Sequence, residues 1–132
     1  MRNRLEQARV ARLATVRPDN RPHLVPVTFA VAEDGRVLTA VDAKPKKSAN
    51  LQRLRNIAAQ PAVSLLVDAY EDDWARLWWI RVDGDALVLD DPAACTVLLP
   101  PLVEKYPSYG DQPPGGPLIV ITPRTWTHWS AR

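Results

Sequence analysis

The sequence has few of the residues that build covalent cross-links or metal centres. Among 132 residues it contains one cysteine, Cys95, and two histidines. A single cysteine excludes an internal disulfide and any thiolate-rich metal site. Because His23 and His128 stand far apart in the chain without a carboxylate at a useful spacing, we expect no bound metal ion and no histidine general base.

The chain also lacks long apolar runs and a dominant charge. No apolar stretch is long enough to cross a membrane, and residues 1–6 lack the apolar core of a secretory signal. Seventeen basic and fifteen acidic residues leave a formal net charge of only +2. That balance disfavours a general nucleic-acid binder, whose affinity depends on neutralising phosphates. We therefore expect a cytoplasmic protein that binds neither membrane nor nucleic acid.

Common catalytic motifs are absent as well. The sequence contains no Gly-x-Ser-x-Gly, no Gly-x-Gly-x-x-Gly and no His-Glu-x-x-His. No nucleophile and base are paired at a recognisable spacing, so the residues assign no catalytic side chain. If the protein is an enzyme, we expect a cofactor to supply the chemistry.

The patterns that are present predict one mainly β (α+β) domain over residues 1–132. Helices are predicted over 4–12, 46–59 and 91–103, and strands over 13–16, 23–31, 37–41, 63–68 and 118–122, with an extension to 129. Residues 75–89 read as one long strand or as a hairpin broken at Asp83-Gly84-Asp85, and 106–117 as a loop. Short connections favour a small antiparallel barrel with flanking helices.

The second predicted strand has one apolar face and one interruption. Val25, Val27 and Phe29 alternate with other residues and should point to the core. Pro26 lies between them and cannot donate a hydrogen bond to a neighbouring strand. The strand should therefore lie at an edge of the sheet or carry a bulge. Its unpaired backbone is then either an ordinary edge or a contact for the polar rim of a ligand.

Three lysines cluster where the long helix is predicted to begin. Lys44, Lys46 and Lys47 crowd the positive end of the helix dipole, and no acidic residue compensates them there. With Ser48 and free backbone N–H groups, they would suit a phosphate. A solvated basic surface is the alternative, and the charge pattern alone does not separate the two.

Adjacent tryptophans mark the strand that follows Leu77. Trp78 and Trp79 must point to opposite faces, and Trp78 shares its face with apolar residues that should form the core. Trp79 shares the other face with Arg81. This face should meet either a partner subunit or a planar ligand, since an aromatic ring beside a guanidinium suits stacking or anion contact.

Taken in order, these segments resemble the pyridoxamine 5′-phosphate oxidase-like family of split β-barrels. The resemblance rests on the runs at 11–16, 21–29, 42–47 and 51–61. The run at 73–84, Asp-Trp-Ala-Arg-Leu-Trp-Trp-Ile-Arg-Val-Asp-Gly, is similar to an actinobacterial subgroup of oxidoreductases that depend on the deazaflavin coenzyme F-420.

The resemblance implies a split antiparallel β-barrel that forms homodimers, with flavin sites between the subunits. It implies that Lys46 and Lys47 hold the cofactor phosphate, with Lys44 or Ser48 in place of a family serine that is Pro45 here. It implies further that the backbone of the strand from Val25 to Thr28, including Pro26 and Val27, lies along the isoalloxazine ring of the cofactor. Trp79 occupies the position of a glutamine that contacts the ring from the other subunit, with Arg81 beside it.

These implications lead to one preferred function and two alternatives. The preferred function is hydride transfer from reduced coenzyme F-420 to a small organic molecule, with FMN as the alternative cofactor. The first alternative is a non-catalytic protein that binds a flavin, a deazaflavin or a haem. The second is a dimeric structural module in which the face of Trp79 serves protein contact only.

Overall fold

The computed structural model describes residues 1–41 and 48–131, and the side chains of these residues except 48–51. These residues form seven strands: β1 (Ala11–Val16), β2 (Pro22–Val27), β3 (Ala30–Val31), β4 (Val37–Ala40), β5 (Ala62–Ala69), β6 (Trp78–Leu89) and β7 (Leu118–Ser130). The helices are α1 (Arg2–Gln7), α2 (Ser48–Ala59), α3 (Pro92–Leu98), α4 (Pro100–Lys105) and α5 (Pro107–Asp111), with a 3₁₀ turn at Trp74–Arg76.

The strands form one antiparallel sheet in the order β2-β1-β5-β6-β7-β4-β3. The two edge strands, β2 and β3, follow one another in the chain, so the sheet curls until its edges approach. We call the connection between them, Thr28–Phe29, the seam. The flanking helices complete a split β-barrel, which confirms the predicted fold class.

Two apolar cores lie on opposite sides of this sheet. The inner core fills the concave side and includes Leu13, Phe29, Leu65, Val82 and Ile119, all of which are fully buried. A second, smaller core lies on the convex side, where α3, α4 and α5 cover β3, β4 and the start of β7. The convex side of β2, β1, β5 and the first half of β6 has no such cover among the described residues.

The segment at Asp83-Gly84-Asp85 is the centre of one long strand and not a hairpin. β6 pairs with β5 along one side and with β7 along the other, and a bulge in β7 interrupts the second pairing. Asp83 pairs with Thr125 and Gly84 pairs with Pro123, which leaves Arg124 as an extra residue. Odd-numbered residues such as Ile121 therefore face inward before the bulge, and the even-numbered Trp126 faces inward after it.

Several predicted boundaries are wrong, each for a local reason. The opening helix spans Arg2–Gln7 and not 4–12, since residues 11 and 12 already pair with β2. The predicted strand 23–31 is two strands, because the chain crosses the seam after Val27. The helix predicted to Val103 divides into α3 and α4 at Pro100, as proline interrupts a helix. The predicted loop 106–117 contains α5, which opens at Pro107.

Candidate functional site

The uncovered convex side of the sheet forms a surface that we call the outer face. Strand register fixes its rows: Pro26, Arg12, Leu66, Arg81 and Thr127 lie side by side across five strands. Adjacent strands are about 4.8 Å apart, so Pro26 and Arg81 are separated by about 14 Å. The edge strand and the tryptophan strand of the sequence analysis therefore share one surface.

Trp79 and Arg81 are both on the outer face, as the alternation predicts. The Arg81 guanidinium lies 6.0 Å from the centre of the Trp79 ring. Asp83 fixes it there, since its carboxylate accepts a hydrogen bond of 3.1 Å from Arg81. Ser64 donates a second hydrogen bond of 2.5 Å to the same carboxylate. The Ser64 bond and the nearby guanidinium lower the pKa of Asp83. The carboxylate therefore stays charged and holds the Arg81 guanidinium in place.

Apolar side chains surround this ion pair. Trp129 lies beside Trp79 in the register and is 46% exposed, and Leu24 on β2 is 66% exposed. Leu66 lies between them and is 37% exposed. Large apolar residues gathered on one sheet face mark a surface that contacts a partner or ligand. A groove of about 650 Å³ continues this face past Ser64 and Asp83 towards Arg124.

Strand β2 is an edge strand, as Pro26 predicts. Val25 and Val27 face the inner core, and Pro26 faces outward opposite Arg12. Thr28 continues the outward positions one residue beyond the strand, at the seam. Among the described residues β2 pairs with β1 alone, so alternate backbone groups on its other side have no partner strand there.

Two tyrosines of the C-terminal helical segment fasten the seam. The Tyr106 hydroxyl accepts the N–H of Phe29 at 3.1 Å and lies within hydrogen-bonding distance of the carbonyls of Arg9 and Phe29. Burial raises the pKa of Tyr106. The Tyr109 hydroxyl lies 2.9 Å from the Thr28 hydroxyl. No local pattern in the sequence indicates these contacts, which join residues between 77 and 97 positions apart.

Lys105 adds a buried cation beside the seam. Its ammonium lies 3.9 Å from the centre of the Phe29 ring and 5.4 Å from that of Tyr106. No hydrogen-bond partner is recorded for it among the described residues. Burial, with a smaller contribution from Arg9, lowers the pKa of Lys105 to about 8. The aromatic contacts compensate part of the cost of burying this charge.

The candidate phosphate site cannot be placed in the same way. Lys44, Lys46 and Lys47 lie outside the described residues. Ser48 is the first residue of α2, and its side chain also lies outside the description. Their assignment to a cofactor phosphate therefore stays a prediction.

The histidines occupy separate environments. His23 is half-buried on β2, and burial together with Arg17 and Arg53 lowers its pKa. His128 is exposed on β7. The described residues contain no group of three or more His, Cys, Asp or Glu side chains that could hold a metal ion. Over the same residues, no helix is long and apolar enough to cross a membrane.

A curled antiparallel barrel whose uncovered face carries aromatic rings and ion-paired arginines defines a split-barrel protein. The sequence profile of the pyridoxamine 5′-phosphate oxidase family matches residues 1–130. The chain belongs to that family, whose members include oxidoreductases. No curated protein matches the sequence.

Solved structures with the same fold include three informative relatives. A conserved hypothetical protein, Rv2991 from Mycobacterium tuberculosis, is 24% identical with a TM-score of 0.77, covering 97% of this chain and 81% of the other. An F-420 reductase is 26% identical with a TM-score of 0.67, covering 93% and 92%. An FAD-binding protein from Mycobacterium smegmatis is 21% identical with a TM-score of 0.59, covering 96% and 89%.

Proposed function

We propose that this protein is an oxidoreductase that uses reduced coenzyme F-420 to transfer a hydride to a small organic acceptor. We propose further that it works as a homodimer joined through the outer face, with a cofactor site at each end of the interface. The observation that carries the proposal is the register that places Trp79 and Arg81 on the same uncovered surface as the free edge of β2.

The residues of this surface fit a planar anionic cofactor. Trp79 offers a large flat apolar surface, and the guanidinium of Arg81 suits an anionic or carbonyl edge. Asp83 restricts the motion of Arg81, so less conformational entropy is lost when a ligand binds. The backbone of β2 from Val25 to Thr28 would meet the polar rim of the ring. The cationic stretch with Lys44, Lys46, Lys47 and Ser48 would hold the phosphate.

The deazaflavin supplies the hydride when it is bound. The chain binds and orients the cofactor and excludes water from it. A second subunit packed on Leu24, Leu66 and Trp129 would cover the face and lower its dielectric constant, which strengthens the contacts of Arg81. The Tyr106 hydroxyl is engaged by backbone groups at the seam, so it is a poor source of a proton.

The cofactor is chosen on two grounds. The run at 73–84 resembles the F-420-dependent subgroup, and an F-420 reductase is among the similar structures, at 26% identity over nearly the whole chain. The FAD-binding neighbour favours a second candidate, an FMN-dependent or non-catalytic flavin protein of the same fold. Both candidates use the same surface, and they differ in cofactor preference and in turnover.

The test is titration of the full chain with F-420 and with FMN, followed by calorimetry and ring fluorescence. We expect F-420 to bind and FMN to bind more weakly. Trp79→Ala should weaken binding strongly, whereas Trp74→Ala should not, because Trp74 is an exposed tryptophan of the 3₁₀ turn and belongs to no strand of the sheet. Replacing Lys46 and Lys47 together with Ala should weaken binding of both cofactors.

Turnover and assembly complete the test. Loss of absorbance of reduced F-420 with electron-poor acceptors should accompany binding, and sedimentation velocity should show a dimer. Tight binding without turnover on any acceptor would favour the non-catalytic candidate. Failure of the wild-type chain to bind either cofactor would overturn the proposal.

A further inference from the structure

The two tyrosines at the seam have different hydrogen-bonding states. Tyr106 is saturated, because its hydroxyl accepts from the Phe29 N–H and donates its single proton to one of two nearby carbonyls. Within the part of the chain that the structure describes, the Tyr109 hydroxyl has one hydrogen-bonding partner, the hydroxyl of Thr28. A pair of hydroxyls holds two protons, and one of them lies between the two oxygens. No described residue accepts a hydrogen bond from the second proton.

The Thr28–Tyr109 pair is also held in a fixed arrangement. The Tyr109 N–H donates to the carbonyl of Tyr106 at 2.9 Å. The rings of the two tyrosines pack edge to face, with centres 5.7 Å apart and planes at 69°. Tyr106 is in turn fastened to the seam through Phe29. The Tyr109 hydroxyl therefore loses little freedom when it meets a ligand.

The place of the pair is the border between the covered and uncovered halves of the convex side. Thr28 follows the outward-facing Leu24 and Pro26 of β2, which belong to the outer face. Tyr109 is packed at its other side against the second core beneath α4. Both side chains are half-buried. The free proton thus lies where the helical layer ends and the free edge of β2 begins.

We propose that the Thr28–Tyr109 hydroxyl pair donates a hydrogen bond to a carbonyl oxygen or ring nitrogen at the polar edge of the heterocycle bound along β2. This inference rests on the proposed function, which places a flavin or deazaflavin ring there. It assigns a ligand-binding role to Tyr109, a residue about 80 positions away from the strand that it serves. The α5 helix then forms one wall of the cofactor site.

The experiment uses four variants of the full chain, with FMN and F-420 as the probes. Thr28→Val and Tyr109→Phe each remove one hydroxyl at nearly constant shape, while Thr28→Ser keeps the hydroxyl. Tyr70→Phe removes an exposed hydroxyl elsewhere and is the control. Calorimetry gives the Kd, and the visible absorption of the ring reports hydrogen bonding at its polar edge.

We expect Tyr109→Phe to weaken binding about 5- to 10-fold, the effect of one hydrogen bond, and Thr28→Val to weaken it less, because Tyr109 then keeps its proton and loses only its fixed orientation. Both should reduce the shift in ring absorption on binding, and Thr28→Ser and Tyr70→Phe should match the wild type. If the wild type binds but all variants have its affinity and spectrum, the pair only fastens α5 and this inference alone is overturned. If the wild type binds neither probe, the proposed function fails and the inference fails with it.

Discussion

Replacement of Gly84 by alanine tests whether the bulge in β7 is as tight as the structure shows. A Cβ at Gly84 would lie 2.4 Å from the carbonyl oxygen of Thr122 and 3.1 Å from the Cα of Pro123. Both are backbone atoms, so no side chain can rotate away to make room. The strands must separate at the bulge, where β6 and β7 already lose their regular register.

The expected cost follows from the size of that clash. Overpacking a well-packed site typically costs 1–3 kcal/mol, and we place Gly84→Ala at about 3 kcal/mol because only backbone can move. With an unfolding entropy of about 2.1 cal/mol/K per residue, such a change lowers the Tm of a chain of this length by about 10 °C.

The chain supplies a matched control. Gly110 lies in α5, and a Cβ there would meet no atom within 4 Å. Gly110→Ala should therefore be neutral or stabilise by up to about 1 kcal/mol, since alanine loses less backbone entropy in a helix. Thermal and urea unfolding followed by circular dichroism measure both variants. If the Tm of Gly84→Ala lies within ~1–2 °C of that of Gly110→Ala, the two variants differ by only a fraction of a kcal/mol. That result would refute the close approach of Gly84 to the backbone of Thr122 and Pro123.

Three further predictions follow from the seam and the outer face. Tyr106→Phe leaves the Phe29 N–H without a partner and should cost about 2 kcal/mol in urea unfolding, while Tyr70→Phe changes nothing. Lys105 has a pKa lowered to about 8, so the unfolded chain binds more protons above that pH. The stability of wild type relative to Lys105→Met should rise between pH 8 and 10, and a pH-independent difference contradicts the buried ammonium. Trp129→Ser should weaken the proposed dimer in sedimentation velocity, and an unchanged equilibrium would exclude Trp129 from the interface.

Local patterns were sufficient to predict the parts of the fold that depend on neighbouring residues. The alternation of Val25, Val27 and Phe29 gave the correct inward face, and Pro26 gave the correct edge position. The same reasoning assigned Trp79 to the face opposite Ile80, where the structure has it. Each of these conclusions needs only the period of a strand and the missing N–H of proline.

Features that depend on distant pairing could not be predicted. Asp83-Gly84-Asp85 resembles a turn, and only its pairing with strands on both sides shows that β6 continues through it. Proline and glycine around α5 hide a helix of five residues that is held by tertiary packing. The hydroxyl contact of Tyr109 with Thr28 crosses most of the chain, and no local pattern encodes it.

The extra residue in β7 also determines where the sequence tolerates a change in length. Removing Arg124 would restore one regular ladder between β6 and β7 and leave Trp126 pointing to the inner core and Trp129 to the outer face. Removing a residue further along, such as Thr127, would turn Trp129 inward and expose its neighbour instead. A family member could therefore lose the position of Arg124 and keep its aromatic face, whereas a deletion three residues later would invert that face.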